Sequence, residues 1–550
     1  MTFDPVPPAS ARLPSGGTDV RLRPLPGGTR PDHVAALLDT LRASLATDQE
    51  PPRSVLVPHS PDADGAAVVA AVGRRLRQDV PAGTAVVLQT SGSTTGTGHL
   101  VALTARSLAA SARATEERLA GPGQWLLAVP AHHVAGLQIL VRSVVAGTTP
   151  ALLDTSAGFD PRDLATAVAA MRTDMPAYLS LVPTQLVRVL ESGEDAIGPL
   201  RRLAAILVGG AATAPHTLER ARGLGLQIVT TYGMTETGGG CVYDGRPLPG
   251  VRLRLTDDDR VEISGPVVAA GYLDDAAADA DAFRSENGVR WLRTSDRAEI
   301  LTCPAAERAD DVAADELGAE SGSRNAGESH GTREHDDSEP RRSHELRRSR
   351  EPRRSREPRR SHELRGARKL TADDATLCLR VLGRVDDLIN TGGIKVSPGA
   401  VEHIVDEHPA VSEVVVVAVP DGEWGELVTA VVVAVAGREA PSLAELRTLV
   451  SAGLDGAHAP RALVELTSLP LRGPGKVDRR AAAHHAARAL RRTEALTDAE
   501  SQTDAESQTD AESQTDAESQ TDGGSQDGNG SPPGVVVVRA ERYGSTAPIS

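Results

Sequence analysis

The sequence predicts an α/β protein: a large N-terminal domain of parallel-rich sheets with a β-rich subdomain, followed by a small α+β lid. Three observations predict it. Short apolar runs at Thr84–Gln89, Trp125–Val129, Ala177–Pro183 and Ala204–Val208 alternate with segments of helical period, the spacing of βαβ units. After Pro247–Gly250 the pattern turns to short β segments, Val251–Leu255, Val261–Ser264 and Trp291–Arg293. A compact αβ unit then occupies Thr376–Arg492 beyond a long polar stretch.

Taken in order, residues 1–30 are rich in Pro and Gly and are expected to pack loosely. Val34, Leu37, Leu38, Leu41 and Leu45 recur at helical spacing, with Asp32 as the expected cap. The strand Thr84–Gln89 feeds Thr90-Ser91-Gly92-Ser93-Thr94-Thr95-Gly96-Thr97-Gly98-His99, a loop of hydroxyls, free N–H groups and little bulk, suited to phosphate oxygens. It is not the GxxxxGK[ST] P-loop. A helix spans Leu103–Leu119, and His133 opens another that carries Leu137, Leu140 and Val141. Arg142 sits inside that apolar stretch, where an unpaired guanidinium is costly, so it either reaches solvent or meets a carboxylate.

Two further loops follow strands. Gly209-Gly210-Ala211 permits close backbone approach, and Thr230–Gly240 (TTYGMTETGGG) combines glycines, threonine hydroxyls and one carboxylate, Glu236, able to hold Mg²⁺. Asp296 ends a β segment, where it can accept hydrogen bonds from sugar hydroxyls. In the last unit come Gly383–Val396, a helix Pro398–Glu407, strands Val411–Val419 and Leu427–Val435, a helix from Ser442, and Lys476 in a Gly/Pro loop. Domain limits follow: 1–382 for the large domain, 383–492 for the lid, and 493–550 for an acidic tail built on TDAESQ repeats and expected to be disordered. Residues 304–370, with Arg-rich hexads and scarcely any apolar side chains, read as a disordered insertion.

A net charge of −16 argues against a nucleic-acid binder held by phosphate contacts. No apolar run reaches the ~20 residues of a membrane span, and no signal peptide is evident, so a cytoplasmic protein without membrane insertion is expected. Cys241, Cys303 and Cys378 suggest neither a disulfide framework nor a zinc site.

Together these motifs resemble the ANL superfamily of adenylate-forming enzymes across Thr84–Arg480, the insertion excepted. Within it, LAVPAHHVAGLQILVRS is similar to the o-succinylbenzoate–CoA ligases of menaquinone biosynthesis. The resemblance implies ATP, Mg²⁺ and coenzyme A acting on a small carboxylic acid, and it implies roles. Thr90, Ser91, Gly92, Ser93 and Thr94 would wrap the outer phosphates. Gly209, Gly210, Ala211, Tyr232 and Gly233 would line the nucleotide, and Thr235 the α-phosphate. Glu236 would ligate the metal, and Asp296 and Arg384 would hold the ribose. Asp386 would be the hinge and Gly392–Gly393 the pantetheine tunnel. Lys476 would serve adenylation, with His133, Arg142 and Gly210 at the acid. The first loop departs from the family run TSG[ST]TG-x-PKG: it has an extra Thr, lacks the Pro, and places His99 where the family has Lys. Two other readings stay open: a ligase for a different aryl or acyl acid or for a carrier protein, and a non-catalytic protein of the same fold. Oligomeric state is not legible.

Overall fold

The structure, a computed structural model, describes residues 20–46, 54–90, 98–303, 369–374, 376–454, 456–472, 476–493 and 537–543. The expectations for residues 1–19, 91–97, 304–368, 494–536 and 544–550 lie outside the described residues.

Continuous apolar runs become strands buried on both faces. In Gln124–Leu127, Trp125 and Leu127 point into one core and Leu126 into another. Tyr178 and Leu179 divide the same way in Ala177–Leu181. These strands belong to a seven-stranded sheet whose middle is parallel. A five-stranded sheet lies beside it, and helices Pro31–Ala46, Ala105–Arg118 and Val134–Val145 fill the layer between the two, contributing Leu37, Leu108 and Leu140 to one shared core. Burying an apolar side chain of that size is worth about 1.5–3 kcal/mol, so this layer fixes how the two sheets' strand ends converge.

A third sheet, antiparallel, is the β-rich subdomain. Its long strand Val289–Thr302 exceeds the expected Trp291–Arg293, because polar residues beyond Arg293 are held by pairing with Leu377–Arg384 rather than by burial. The lid has its own sheet, with the helices Pro398–Val405 and Leu443–Gly453 on one face and the helix over residues 479–493 on the other.

Several expectations are corrected. Arg21–Pro26 is not loose: it is an edge strand in parallel register with Ser54–His59, with Leu22 fully buried between two exposed arginines. Asp32 is not a cap but lies in the first turn, because Pro31 starts the helix with its fixed φ. Lys369–Thr371, placed partly in the insertion, is a strand paired to Arg252–Leu255, with Leu370 fully buried. The tail returns as a strand: Val537–Arg542 pairs antiparallel with Ala462–Leu466 at the lid's edge. Arg539 donates to the carbonyls of Ala440 and Pro441, and Glu541 accepts from the Leu443 N–H at 2.8 Å. Cys303 and Cys378, expected to give no disulfide framework, form a disulfide. The Thr302↔Leu377 register brings their Cα atoms to 5.5 Å across a sequence separation of 75.

Candidate active site

The large domain supplies one wall. Strands Ala205–Gly209 and Ile228–Met234 run parallel with Gly209 opposite Thr231, and their C-terminal ends open onto loops, where α/β sheets place ligands. A Cβ at Gly209 would collide with the Thr231 hydroxyl, and one at Gly233 with the Gly239 carbonyl. Gly210 has φ +88, which disfavours any side chain. Ala211 follows in the same turn, exposed. Thr235–Thr237 makes one tight turn closed by Gly238 in the left-handed region. Glu236 sits in that turn. Its carbonyl accepts from Ala269 N–H at 2.8 Å, and its carboxylate Oε1 accepts from the Tyr272 hydroxyl at 2.7 Å.

A second wall comes from the β-rich subdomain. Asp296 and Arg384 stand opposite each other on neighbouring strands. Tyr232 donates its hydroxyl to Asp296 Oδ2 at 2.7 Å, and Arg384 Nη2 donates to Asp386 Oδ2 at 3.0 Å. Burial pushes the Asp296 carboxyl up, against the Tyr232 hydrogen bond that pulls it down. Burial, with Asp296 adding to it, keeps the Tyr232 phenol protonated well beyond its usual range. Arg384 Nε is buried with no hydrogen-bond partner among the described residues, a donor left for something not in the fold.

The lid closes the third side. Lys476 lies on a two-stranded hairpin, Arg472 opposite Lys476, and its Cε is 3.4 Å from where a Cβ on Gly210 would sit. Burial lowers its ammonium pKa, and the nearby Arg472 adds to that, while Glu236 and Asp296 of the large domain oppose it. Just beyond, Arg479 braces the hairpin with a bidentate pair to Glu402, 2.6 and 2.8 Å, and a bond to the Val416 carbonyl at 2.9 Å. Asp386 falls in the turn Val385–Asp387 between the two lobes. Across the seam His216 Nδ1 donates to the Asp406 carbonyl at 3.0 Å.

His133 completes the group from the N-cap of Val134–Val145, with its side chain free of any capping bond. Its imidazole lies tilted against that of His132, ring centroids 4.3 Å apart and planes at 42°. Burial, then His132 and Lys476, lower its pKa to about 4, so it is neutral at pH 7. His132 is likewise lowered to about 4, chiefly by burial, and its Nδ1 accepts from Gly28 N–H at 3.1 Å, which assigns its proton to Nε2.

Not every expected residue joins. Arg142 does not face this group. It is 3% exposed, its Nη2 donates to the Tyr243 hydroxyl at 3.0 Å, and its guanidinium lies 4.5 Å from the Trp125 ring centroid. The nine residue steps from His133 carry it roughly 13.5 Å along the helix, at 1.5 Å per residue. The correction has a physical reason: a cation in an apolar helix face needs a partner, and a core tyrosine and tryptophan supply it as well as a ligand carboxylate would. Gly392 and Gly393, both in the left-handed region, make the turn between Ile389–Thr391 and Ile394–Val396 elsewhere on the lid, with Gly392 against Trp424. Thr90 is pinned to His99, its Oγ1 accepting from the His99 N–H at 2.9 Å. Ser91, Gly92, Ser93 and Thr94 lie outside the described residues. Sequence reasoning missed Tyr272 and His132. Only the AHH pair could have drawn attention to His132, and nothing local marks Tyr272.

Two lobes, glycine-lined loops from one and a lysine from the other, define a nucleotide-handling fold with a site at the seam. Residues 30–273 match the AMP-binding enzyme family, and residues 400–476 match the AMP-binding enzyme C-terminal domain. A probable 2-succinylbenzoate–CoA ligase of Mycobacterium tuberculosis is 37% identical over 416 residues, 76% of this chain and 87% of that protein. A 2-succinylbenzoate–CoA ligase of Listeria monocytogenes is 25% identical over 367 residues, 64% of this chain and 60% of that one. In fold the chain is similar to the ATP-bound MatB of Rhodopseudomonas palustris, with TM-score 0.59, 20% identity and coverage of 86% and 90%. It is also similar to the o-succinylbenzoate CoA synthetase of Bacillus subtilis in complex with the acyl-adenylate OSB-AMP, with TM-score 0.54, 21% identity and coverage of 84% and 87%. The chain therefore belongs to the AMP-binding enzymes, the ANL superfamily. Among the described residues no helix is long and apolar enough to cross a membrane.

Proposed function

We propose that this protein is an ATP- and Mg²⁺-dependent acid–CoA ligase that adenylates o-succinylbenzoate and passes the acyl group to coenzyme A, as a cytoplasmic enzyme of menaquinone biosynthesis. The observation that carries the reading is Lys476. It reaches from the lid to Gly210, within electrostatic range of Glu236, Asp296 and His133. The M. tuberculosis relative's printed activity supports the choice of acid.

The first half-reaction brings a carboxylate against an α-phosphate, two anions, so a cation is needed where charge develops. Lys476, braced by Arg479, meets that need, and its desolvation strengthens the attraction. Asp296 and the free Nε of Arg384 suit a ribose diol, one as acceptor and one as donor. Among the described residues no cluster of three or more His, Cys, Asp or Glu could enclose a metal. Glu236 alone would hold Mg²⁺, which would supply charge neutralisation on the phosphates. Neutral His133 offers the acid a hydrogen bond without competing with Lys476 for its negative charge. Gly209–Ala211, Tyr232, Gly233 and Thr235 would line the nucleotide. After rotation about Asp386, Gly392–Gly393 would receive the thiol arm.

Pyrophosphate release across an acid panel tests this. Release with o-succinylbenzoate, followed by thioester formation with CoA, is expected. Release only with fatty or benzoic acids would move the substrate to another acid, and none with any acid would overturn the ligase reading.

A further inference from the structure

Four side chains beside the site, Tyr272, His99, Asp274 and Arg75, have no part in the chemistry above, yet one of them, Tyr272, touches Glu236, which does. Tyr272 is the second residue of the short strand Gly271–Tyr272, in register with Val101. Its backbone is held on both sides: its N–H donates to Asp279 Oδ1 at 2.8 Å, and its carbonyl accepts from Gln78 Nε2 at 2.7 Å. The ring is set between the His99 imidazole, stacked at 4.4 Å and 24°, and the edge of Phe283 at 5.2 Å. Only the hydroxyl is left to choose a partner, and it takes the Glu236 carboxylate at 2.7 Å. His99 is itself held. Its Nδ1 lies 3.6 Å from Asp274 Oδ1, which also accepts the Leu100 N–H at 2.9 Å. Arg75 ties the other Asp274 oxygen at 2.5 Å and donates to the carbonyl of Gly98.

We propose that Tyr272 is a positioning residue that fixes the Glu236 carboxylate for a divalent cation, and that the Arg75–Asp274–His99 clamp fixes Tyr272 by stacking. The inference rests on the adenylating reading for its purpose, though not for its geometry. A glutamate free to rotate must lose rotamer freedom when it ligates a metal. One oxygen already bound to a rigid phenol leaves the other oriented, so that loss is met in folding rather than in binding. A phenol offers one O–H donor, and the held ring aims it at Glu236 Oε1. The same geometry accounts for His99. A flat ring can stack on Tyr272 where an aliphatic ammonium cannot, and an imidazole edge can also face Asp274.

Calorimetric titration of the full chain with ATP, with and without Mg²⁺, reads the effect apart from turnover. Tyr272→Phe keeps the packing and removes the donor, so the advantage of Mg²⁺-ATP over metal-free ATP should fall about tenfold, the scale of one charge-assisted hydrogen bond. Metal-free ATP should bind within about twofold of wild type. His99→Ala should lose a smaller part of the same advantage, and His99→Phe, which restores a flat ring, should recover it. An unchanged Mg²⁺ advantage in Tyr272→Phe overturns the proposal while leaving pyrophosphate release, and with it the ligase reading, standing. Loss in His99→Phe as deep as in His99→Ala overturns the stacking role. Should wild type release no pyrophosphate with any acid, the ligase reading falls, and the titration still decides what Tyr272 does for the cation.

Discussion

Two cations, Arg142 buried and Lys476 half-buried, are held in this molecule on opposite terms. Arg142 lies in the large domain's central layer and has partners within the fold, the Tyr243 hydroxyl, the Trp125 face and the nearby Glu116 carboxylate, although its Nε makes no hydrogen bond among the described residues. Lys476 lies on a short hairpin of the lid, and among the described residues it makes no ion pair. It is attracted by Glu236 and Asp296 but bonded to neither. The difference teaches how to tell a structural charge from a working one. A fold that buries a cation for its own stability gives it at least one bonded partner of its own, whereas a site that awaits an anion leaves the cation with none.

Removing each cation should therefore produce opposite phenotypes. Lys476→Ala should reduce acid-dependent pyrophosphate release by about 10²–10³, the scale of a lost charge-stabilising donor, while thermal stability holds or rises, because a desolvation penalty goes with it. Equal melting loss and activity loss would break the comparison. Arg142→Ala should do the reverse: it leaves Tyr243 and Glu116 without their partner, and a loss of about 2–4 kcal/mol in denaturant unfolding is expected. The KM for the acid should stay within about twofold of wild type. A selective rise in that KM would return Arg142 to the acid site.

The same contrast shows why the sequence told part of this and not the rest. Thr84–Gln89 was legible to the residue, because a run buried on both faces needs no alternation and is bounded by Gly83 and Thr90. The glycine and threonine loops were legible because close backbone approach leaves few residue choices at Gly209, Gly210 and Gly233. Arg142 was misread because a lone cation on an apolar helix face gives one signal for two environments. Tyr272 was invisible, since its meaning comes from Glu236, His99 and Val101, none of them local to it. The strand Val537–Arg542 was hidden behind the acidic repeats, and its place depends on an open sheet edge formed by Ala462–Leu466.

Smaller effects sharpen the comparison. His132 and His133 have pKa values near 4 in the fold, below the ordinary value of 6.5. Between pH 6.5 and 4 the unfolded chain binds protons that the folded chain refuses, so stability should fall as pH falls through that window and level off below it. His133→Gln should flatten the slope of melting temperature against pH there, and an unchanged slope would mean that His133 is not desolvated as described. Least of all, Arg542→Ala should lower lid stability by about 1 kcal/mol by releasing Asp421 from its pair with the returning strand. Hydrogen exchange on Ala462–Leu466 should quicken, and unchanged protection would show that the strand does not depend on that pair.

On the proposed mechanism Lys476 serves adenylation and is withdrawn for the attack of the thiol. The direct measurement supplies Lys476→Ala with synthetic o-succinylbenzoyl-adenylate and CoA, and compares thioester formation with pyrophosphate release from ATP and the free acid. The account predicts thioester formation near the wild-type rate with pyrophosphate release nearly abolished. Pyrophosphate release at the wild-type rate, or equal loss in both halves, would contradict it.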